Sequence, residues 1–355
     1  MKNGNFIILC FISILYISCS QEIKHEIFPI TKITPLKKDS IYNIEDKAYV
    51  DMMILDSLLI LIADKDDNYF HIFNKKTMDS LISFGKKGNA EFEFNHRPLF
   101  RKNYYENFEY FEVYDPLFLK RINIKNITEG ANISGEIKSE RLDEELVLSR
   151  EIAGIDSSRY TIAGTTLDSS NGLFYIYYKK SKSKKWASYN PKLKIDKRYY
   201  DNVYYGLIES SPDNETIVYC PRFFNRILFY NKNGEIVKEL NFSKVEAPLT
   251  VKDYFGVSHD ELIYTFKTYR TKNFIYVLRP LQSLNNLIEN ISPIKVQILR
   301  ITWDGHLDAT YEADLRIMPT LFCVDEQNQK ILFNTPVDSY LSNDIVTEIS
   351  VYNIE

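Results

Sequence analysis

The chain has 355 residues and a formal net charge of −4. That weakly acidic balance excludes the basic footprint by which proteins hold nucleic acid. Aromatic residues are 14% of the chain, with 26 Tyr and 22 Phe, a content that favours pleated, half-buried strands. The length allows one closed all-β architecture or two ordinary domains.

Residues 1–18 read as a signal peptide: Lys2 is the only charge ahead of the apolar run FIILCFISILYI. A run this short at the N-terminus is a signal h-region and not a bilayer span. Tyr16-Ile17-Ser18-Cys19 resembles a bacterial lipobox, with Tyr16 where Leu is usual. The resemblance implies lipid on Cys19, a tether over residues 19–25, and a folded unit over 26–355 held at the cell envelope, with the outer membrane as the expected address. Ordinary signal cleavage nearby is the alternative. Cys10 would leave with the signal. Cys220 and Cys323 fall in the strand-like runs TIVYCP and TLFCVD, as two buried thiols or as one disulfide between repeats.

The first mature segment, Glu26 to Leu36, alternates apolar and polar residues and carries Pro29 and Pro35, which suits an edge or terminal strand. Ala48 to Leu55, LLILIA after Asp56-Ser57, and NYFHIFN after Asp64 to Asn68 read as three strands joined by tight turns. The next hairpin, Phe73 to Leu81, recurs at Tyr230 to Val237 and at Ile301 to Leu307. Asn-Gly and Asp-Gly in the latter two predict tight turns with both central residues at positive φ. A polar turn before a short β-rich strand appears at Asp56, Asn107, Asn171, Asp213, Asp260 and Gln329. Six such anchors predict six blades with insertions, although roughly 40 to 50 residues per blade would also allow seven or eight. The insertions lie around 126–141 and 280–293. In the second, Leu281, Leu284, Leu287, Ile288 and Ile291 fall at helical spacing behind Pro280, predicting a short helix that caps the fifth blade or binds a partner. Ring closure is expected from pairing of Ile345–Ile354 with Glu26–Leu36 in the last blade.

The segment Phe84-Gly85-Lys86-Lys87-Gly88-Asn89-Ala90-Glu91-Phe92-Glu93-Phe94, continuing to Pro98, resembles the FGxxGxxxxEF…P crossover of NHL-like propellers. With the lipobox-like start, the chain resembles the TolB-like six-bladed β-propeller lipoproteins of Bacteroidota. The resemblance implies an all-β, six-bladed β-propeller at the envelope, and little about activity. In physical terms, Gly85 and Gly88 let the chain turn away from an outer strand, and Phe92 or Phe94 can plug between blades.

No nucleophile elbow, His-Glu-x-x-His, P-loop or dinucleotide fingerprint is present, and no cofactor or metal is expected. The five histidines are scattered. Asp64 to Asn68 alternates oxygen ligands like a calcium loop but lacks the Gly and the final acid, so a strand turn is the reading. Lys179 to Lys185 is the densest basic run and reads as a hairpin tip. Ligand candidates are polar and aromatic residues beside inner strands: Tyr199, Tyr200, Tyr204, Tyr205, Arg222, Arg226, His96 and Arg97. Tyrosines can stack on sugars and arginines pair with carboxylates, or both pack between blades. The function expected is a non-catalytic, monomeric binding or assembly scaffold, anchored in the membrane through lipid on Cys19. Its partner would be a glycan, peptide or envelope protein. The alternatives are an envelope hydrolase with two carboxylates in the channel and a soluble periplasmic sensor.

Overall fold

A computed structural model describes residues 26–44, 47–64, 66–103, 105, 107–147, 149–156, 158–163, 172–187, 199–243, 257–288, 294–315, 319, 321–338 and 345–354. The signal segment, Cys19 and the tether lie outside the described residues. Six four-stranded antiparallel cores make a six-bladed β-propeller. From the inner strand outward, blade one is Tyr49–Leu55, Leu58–Ala63, Asn68–Asn74 and Ser80–Lys86. Blade two is Leu99–Phe100, Tyr110–Tyr114, Phe118–Asn123 and Ile137–Arg141; blade three is Glu151–Asp156, Arg159–Ala163, Phe174–Tyr178 and Ser183–Trp186. Blade four is Gly206–Ser210, Thr216–Pro221, Arg226–Asn231 and Ile236–Asn241; blade five is Lys267–Arg270, Phe274–Arg279, Ile294–Thr302 and Leu307–Leu315. Blade six takes Leu321–Asp325, Lys330–Asp338 and Ile345–Asn353 from the end of the chain and Lys37–Ile44 from its beginning.

Middle strands are apolar on both faces because each blade is covered by a neighbour on either side. Leu59, Ile60, Leu61 and Ile62 are all without exposure. Each of the six blade interfaces has its own apolar cluster: Phe70 with Phe111 between one and two, Ile152 with Leu119 between two and three, Ile176 with Ile217 between three and four. Val218 with Val277, Ile298 with Phe333, and Leu332 with Leu61 fill the remaining three. Cys220 and Cys323 are free, buried thiols in these layers, and burial holds both well above the ordinary thiol range.

The three recurring hairpins all join a third strand to a fourth, in blades one, four and five. Their turns differ from the expectation of two left-handed residues. Only Gly234 (φ 75°) and Gly305 (φ 79°) are left-handed, and each is followed by a register shift between Phe229 and Tyr230 or between Arg300 and Ile301. That is a three-residue turn completed by a bulge, which also increases the strand twist. In blade one Met78 takes the left-handed place at φ 61°.

In the Gly-rich crossover, Phe94 and not Phe92 is the plug: Phe94 is fully buried against Phe70 and Phe84, while Phe92 is exposed. Lys120, from the third strand of blade two, secures the loop by donating to the carbonyls of Glu91 and Glu93 at 2.7 and 2.6 Å. Gly85 has φ 88°, and a Cβ there would lie 2.5 Å from the Phe70 ring. Gly85→Ala therefore combines an unfavourable left-handed conformation with overpacking and should lower unfolding free energy by about 2–4 kcal/mol. Urea titration measures this, and a change below about 0.5 kcal/mol would show that Phe70 does not fix the crossover.

Two expectations are corrected. Residues 26–36 do not pair with the C-terminal strand. Glu26–Ile27 runs parallel to the outer strand of blade four and Thr34–Pro35 to that of blade five. Both touch outer edges, where a proline lacking N–H is tolerated. The partner of Ile345–Asn353 is Lys37–Ile44, antiparallel, with Ile349 opposite Tyr42. Residues 260–266 supply no blade strand: Leu262–Ile263 pairs with Gln282–Ser283 in a separate ribbon, and the second strand of blade five is Phe274–Arg279. The helix expected behind Pro280 runs over Leu284–Ile288, with Leu284 and Leu287 packed on the cluster between blades five and six.

Candidate functional site

Inner strands bring a set of charged side chains to the propeller axis. Glu209 of blade four has no exposure; it accepts from Thr268 Oγ1 at 2.7 Å and from Arg270 Nη1 at 3.2 Å. Arg270 of blade five then crosses the ring and donates to the Arg101 carbonyl of blade two at 2.9 Å. The Arg101 guanidinium pairs with Glu112 and lies 4.9 Å over the Tyr160 ring of blade three. One chain of contacts thus ties blades two to five across the axis. Tyr269 adds a tie to blade one by accepting from the Ile54 N–H at 3.1 Å.

Around this brace lie Asp51, Lys102, Glu151 and Lys267. Burial raises the Glu151 carboxyl above its ordinary range, with Lys102 and the Ile208 N–H, at 2.8 Å, pulling the other way. Burial works against a charge on Lys102, but Glu209, Asp51 and Glu151 outweigh it and hold the amine above its ordinary value. Lys267 is held below its own, chiefly by burial. Isolated buried charges are costly in a low-dielectric interior, and these are grouped with opposite partners. A cavity of about 210 Å³ opens beneath them at the face carrying the turns after the inner strands, with Asp56, Phe108, Lys272 and Gln327 at its mouth.

At the opposite ends of the inner strands a second cavity of about 420 Å³ lies between blades three, four and five. It gathers Arg150, Tyr205, Arg222, Phe223, Val257 and His259. The chain enters the inner strands of blades three and four here, which places Arg150 beside Glu151 and Tyr205 beside Gly206. The Arg222 guanidinium stands 4.5 Å from the Tyr205 ring centre and that of Arg150 5.3 Å from it. Burial, helped by the negative Glu151, holds the Tyr205 phenol above its ordinary value.

Of the residues read from sequence as ligand candidates, Tyr205 and Arg222 converge in this cavity. Tyr199 packs at its edge with Val203 and Val257. Tyr204 is buried, stacked on Phe224 with ring centres 5.3 Å apart. Tyr200 opens the short helix Tyr200–Val203, and its side chain lies outside the described residues. Arg226 is buried against Glu239 at 3.3 Å. His96 is exposed, and Arg97 is exposed and paired with Asp64, on blade one's side of the ring. Of the carboxylates in the expected turn from Asp64 to Asn68, Asp64 is engaged by Arg97 and Asp66 by Lys47 and His71, while Asp67 is exposed. The basic run is answered by an acidic one: Lys179, Lys182 and Lys184 meet Glu140, Asp143 and Glu145. Sequence reading missed Arg101, Lys102, Glu151, Glu209 and Arg270. Their signal is a charge within or beside a short inner strand, as in GLIES, EIAGID and KTYR.

No family model and no curated protein matches the chain. Solved structures do. A member of the DUF4221 family from Bacteroides vulgatus ATCC 8482 superposes with a TM-score of 0.59 at 10% identity, covering 90% of this chain and 98% of its own. A protein described as exported, from Bacteroides fragilis NCTC 9343, gives 0.54 at 13%, covering 92% and 98%. U3-55K gives 0.52 at 8%, covering 88% and 99%. At such identities the likeness is one of fold: this chain shares the propeller of these structures, and their ligands and partners say nothing of its own.

Proposed function

We propose that this protein is an exported, lipid-anchored binding module of the cell envelope, with its propeller as the binding body. The observation that carries the reading is the contrast between the axis and the second cavity. At the axis the carboxylates Glu151 and Glu209 are engaged by backbone and side-chain donors, which makes them a brace and not an acid pair open to substrate. The second cavity falls within the size range of small-molecule sites. Export is supported by the signal-like first 18 residues and by the Bacteroides fragilis neighbour, which is described as exported. The crossover from Phe84 to Pro98 supports a place among TolB-like, NHL-like propellers.

The anchor rests on Cys19, because one thiol lipidated at a lipobox holds the chain at a bilayer only if that thiol is present. Expressed in its native envelope, the wild-type chain should stay with membranes through a high-salt wash, and Cys19→Ala should move to the soluble fraction. Retention of Cys19→Ala in washed membranes would remove the lipid from the proposal and leave the soluble periplasmic reading.

A further inference from the structure

The two cavities differ in their charge. Around the axis, the cations Arg101, Lys102, Lys267 and Arg270 meet an equal set of carboxylates, Asp51, Glu112, Glu151 and Glu209. The second cavity continues the cationic series with Arg150 and Arg222, and no described carboxylate lines it. Among the described residues neither guanidinium has an ion-pair partner, and Arg222 Nε is buried without a hydrogen bond. What both guanidiniums do have is the Tyr205 ring. An arginine lying over a ring uses its face and leaves its N–H edge for an acceptor in its own plane. Two such edges over one ring suit a planar carboxylate, which accepts paired N–H donors from a guanidinium. Of the remaining wall, Phe223, Val257 and Leu284 are apolar, and Asn202 and Ser258 are neutral and polar.

We infer that the cavity between blades three, four and five binds a small organic carboxylate, its charge held by Arg150 and Arg222 and its body lying against Phe223, Val257 and Leu284. This rests on the binding-module reading and adds the ligand's chemical class. A free Arg222 Nε then has a role: it is a donor kept for an acceptor that arrives with the ligand, and leaving it unmet has a cost that binding removes.

Titration calorimetry on the purified chain tests it, with phenylacetate and glucuronate as carboxylate probes, phenylacetamide as the neutral match of the first, and inorganic phosphate as the alternative anion. At least one carboxylate should bind and the amide should not. Arg222→Gln and Arg150→Gln should each weaken binding about 10- to 100-fold, the range for a hydrogen bond to a charged group. Lys295→Gln, on the outer face of blade five, should leave it unchanged. Circular dichroism checks folding, and if Arg222→Gln fails to fold, Arg150→Gln carries the comparison. The inference is overturned if neither carboxylate binds, if the amide binds as well as phenylacetate, if phosphate is preferred to both carboxylates, or if both arginine variants bind normally. None of these outcomes bears on the Cys19 anchor, which is read by partition.

Discussion

A chain ending at Asp344 should lose its cooperative melting transition, whereas one lacking residues 1–35 should keep it. The first cut removes Ile345–Asn353, the strand that lies between Lys330–Asp338 and Lys37–Ile44. With it go Ile349, Val351, Tyr352 and Ile354, all at most 6% exposed and shared between the clusters on either side of blade six. At about 1.5–3 kcal/mol for each buried side chain, the loss is about 6–12 kcal/mol, comparable with the whole stability of a typical domain, about 5–15 kcal/mol. It also strands Lys37–Ile44 and opens two blade interfaces. The second cut takes edge pairings of two residues each on blades four and five, together with the half-buried Phe28 and Ile30, which pack on the cluster between those blades. Calorimetry on both chains separates the cases. A native-like transition in the C-terminal truncation would show that the last blade is dispensable, and loss of it in the N-terminal truncation would make residues 26–35 part of the ring. In the full chain, Ile349→Ala should cost about 2–5 kcal/mol.

Why the sequence misplaced that closing partner follows from where each strand sits. Middle strands have both faces covered, so LLILIA, TIVYCP and KILFN announce themselves as apolar runs. An outermost strand is covered on one face at most, and KKDSIYNI leaves Ile41 about half exposed. Its composition is that of a loop, while the more apolar residues 26–36 attract the assignment. The fifth anchor failed for a related reason: DELIYTF and NFIYVLR both present a polar residue followed by apolar alternation, and only long-range pairing with Ile294–Thr302 distinguishes them. The portable hairpins and the Gly85 crossover were legible because they are local, set by a left-handed residue and one aromatic plug. The axial brace was not. Glu209 and Arg270 are 61 residues apart, and a charge in a strand reads as a surface position until the ring brings six inner strands together. Tyr205 and Arg222 were within reach because each flanks an inner or second strand at the same end, and Arg150 was missed for want of any signal beyond its place before Glu151.

The brace also sets the largest effect expected from a single residue. Glu209→Ala should cost about 3–5 kcal/mol, because it leaves the Arg270 charge buried without its carboxylate and Thr268 without its acceptor. Glu209→Gln keeps an acceptor for Thr268 and should recover only part of the loss, since the charge on Arg270 is still uncompensated. Replacing both members, Glu209→Gln with Arg270→Met, removes the charge together with its partner. An apolar replacement of a buried pair is often neutral, so the double variant should be more stable than Glu209→Gln alone. The cycle of single and double variants, measured by urea unfolding, yields the coupling directly. A coupling near zero would mean that solvent reaches the axis and screens the pair, and the cavity below the brace would then be a through-channel. A coupling of about 2 kcal/mol or more would mean that the axis is dry, so that ligands meet this protein at its faces, with the cavity around Tyr205 closed from beneath by Glu209, Arg270 and Arg101.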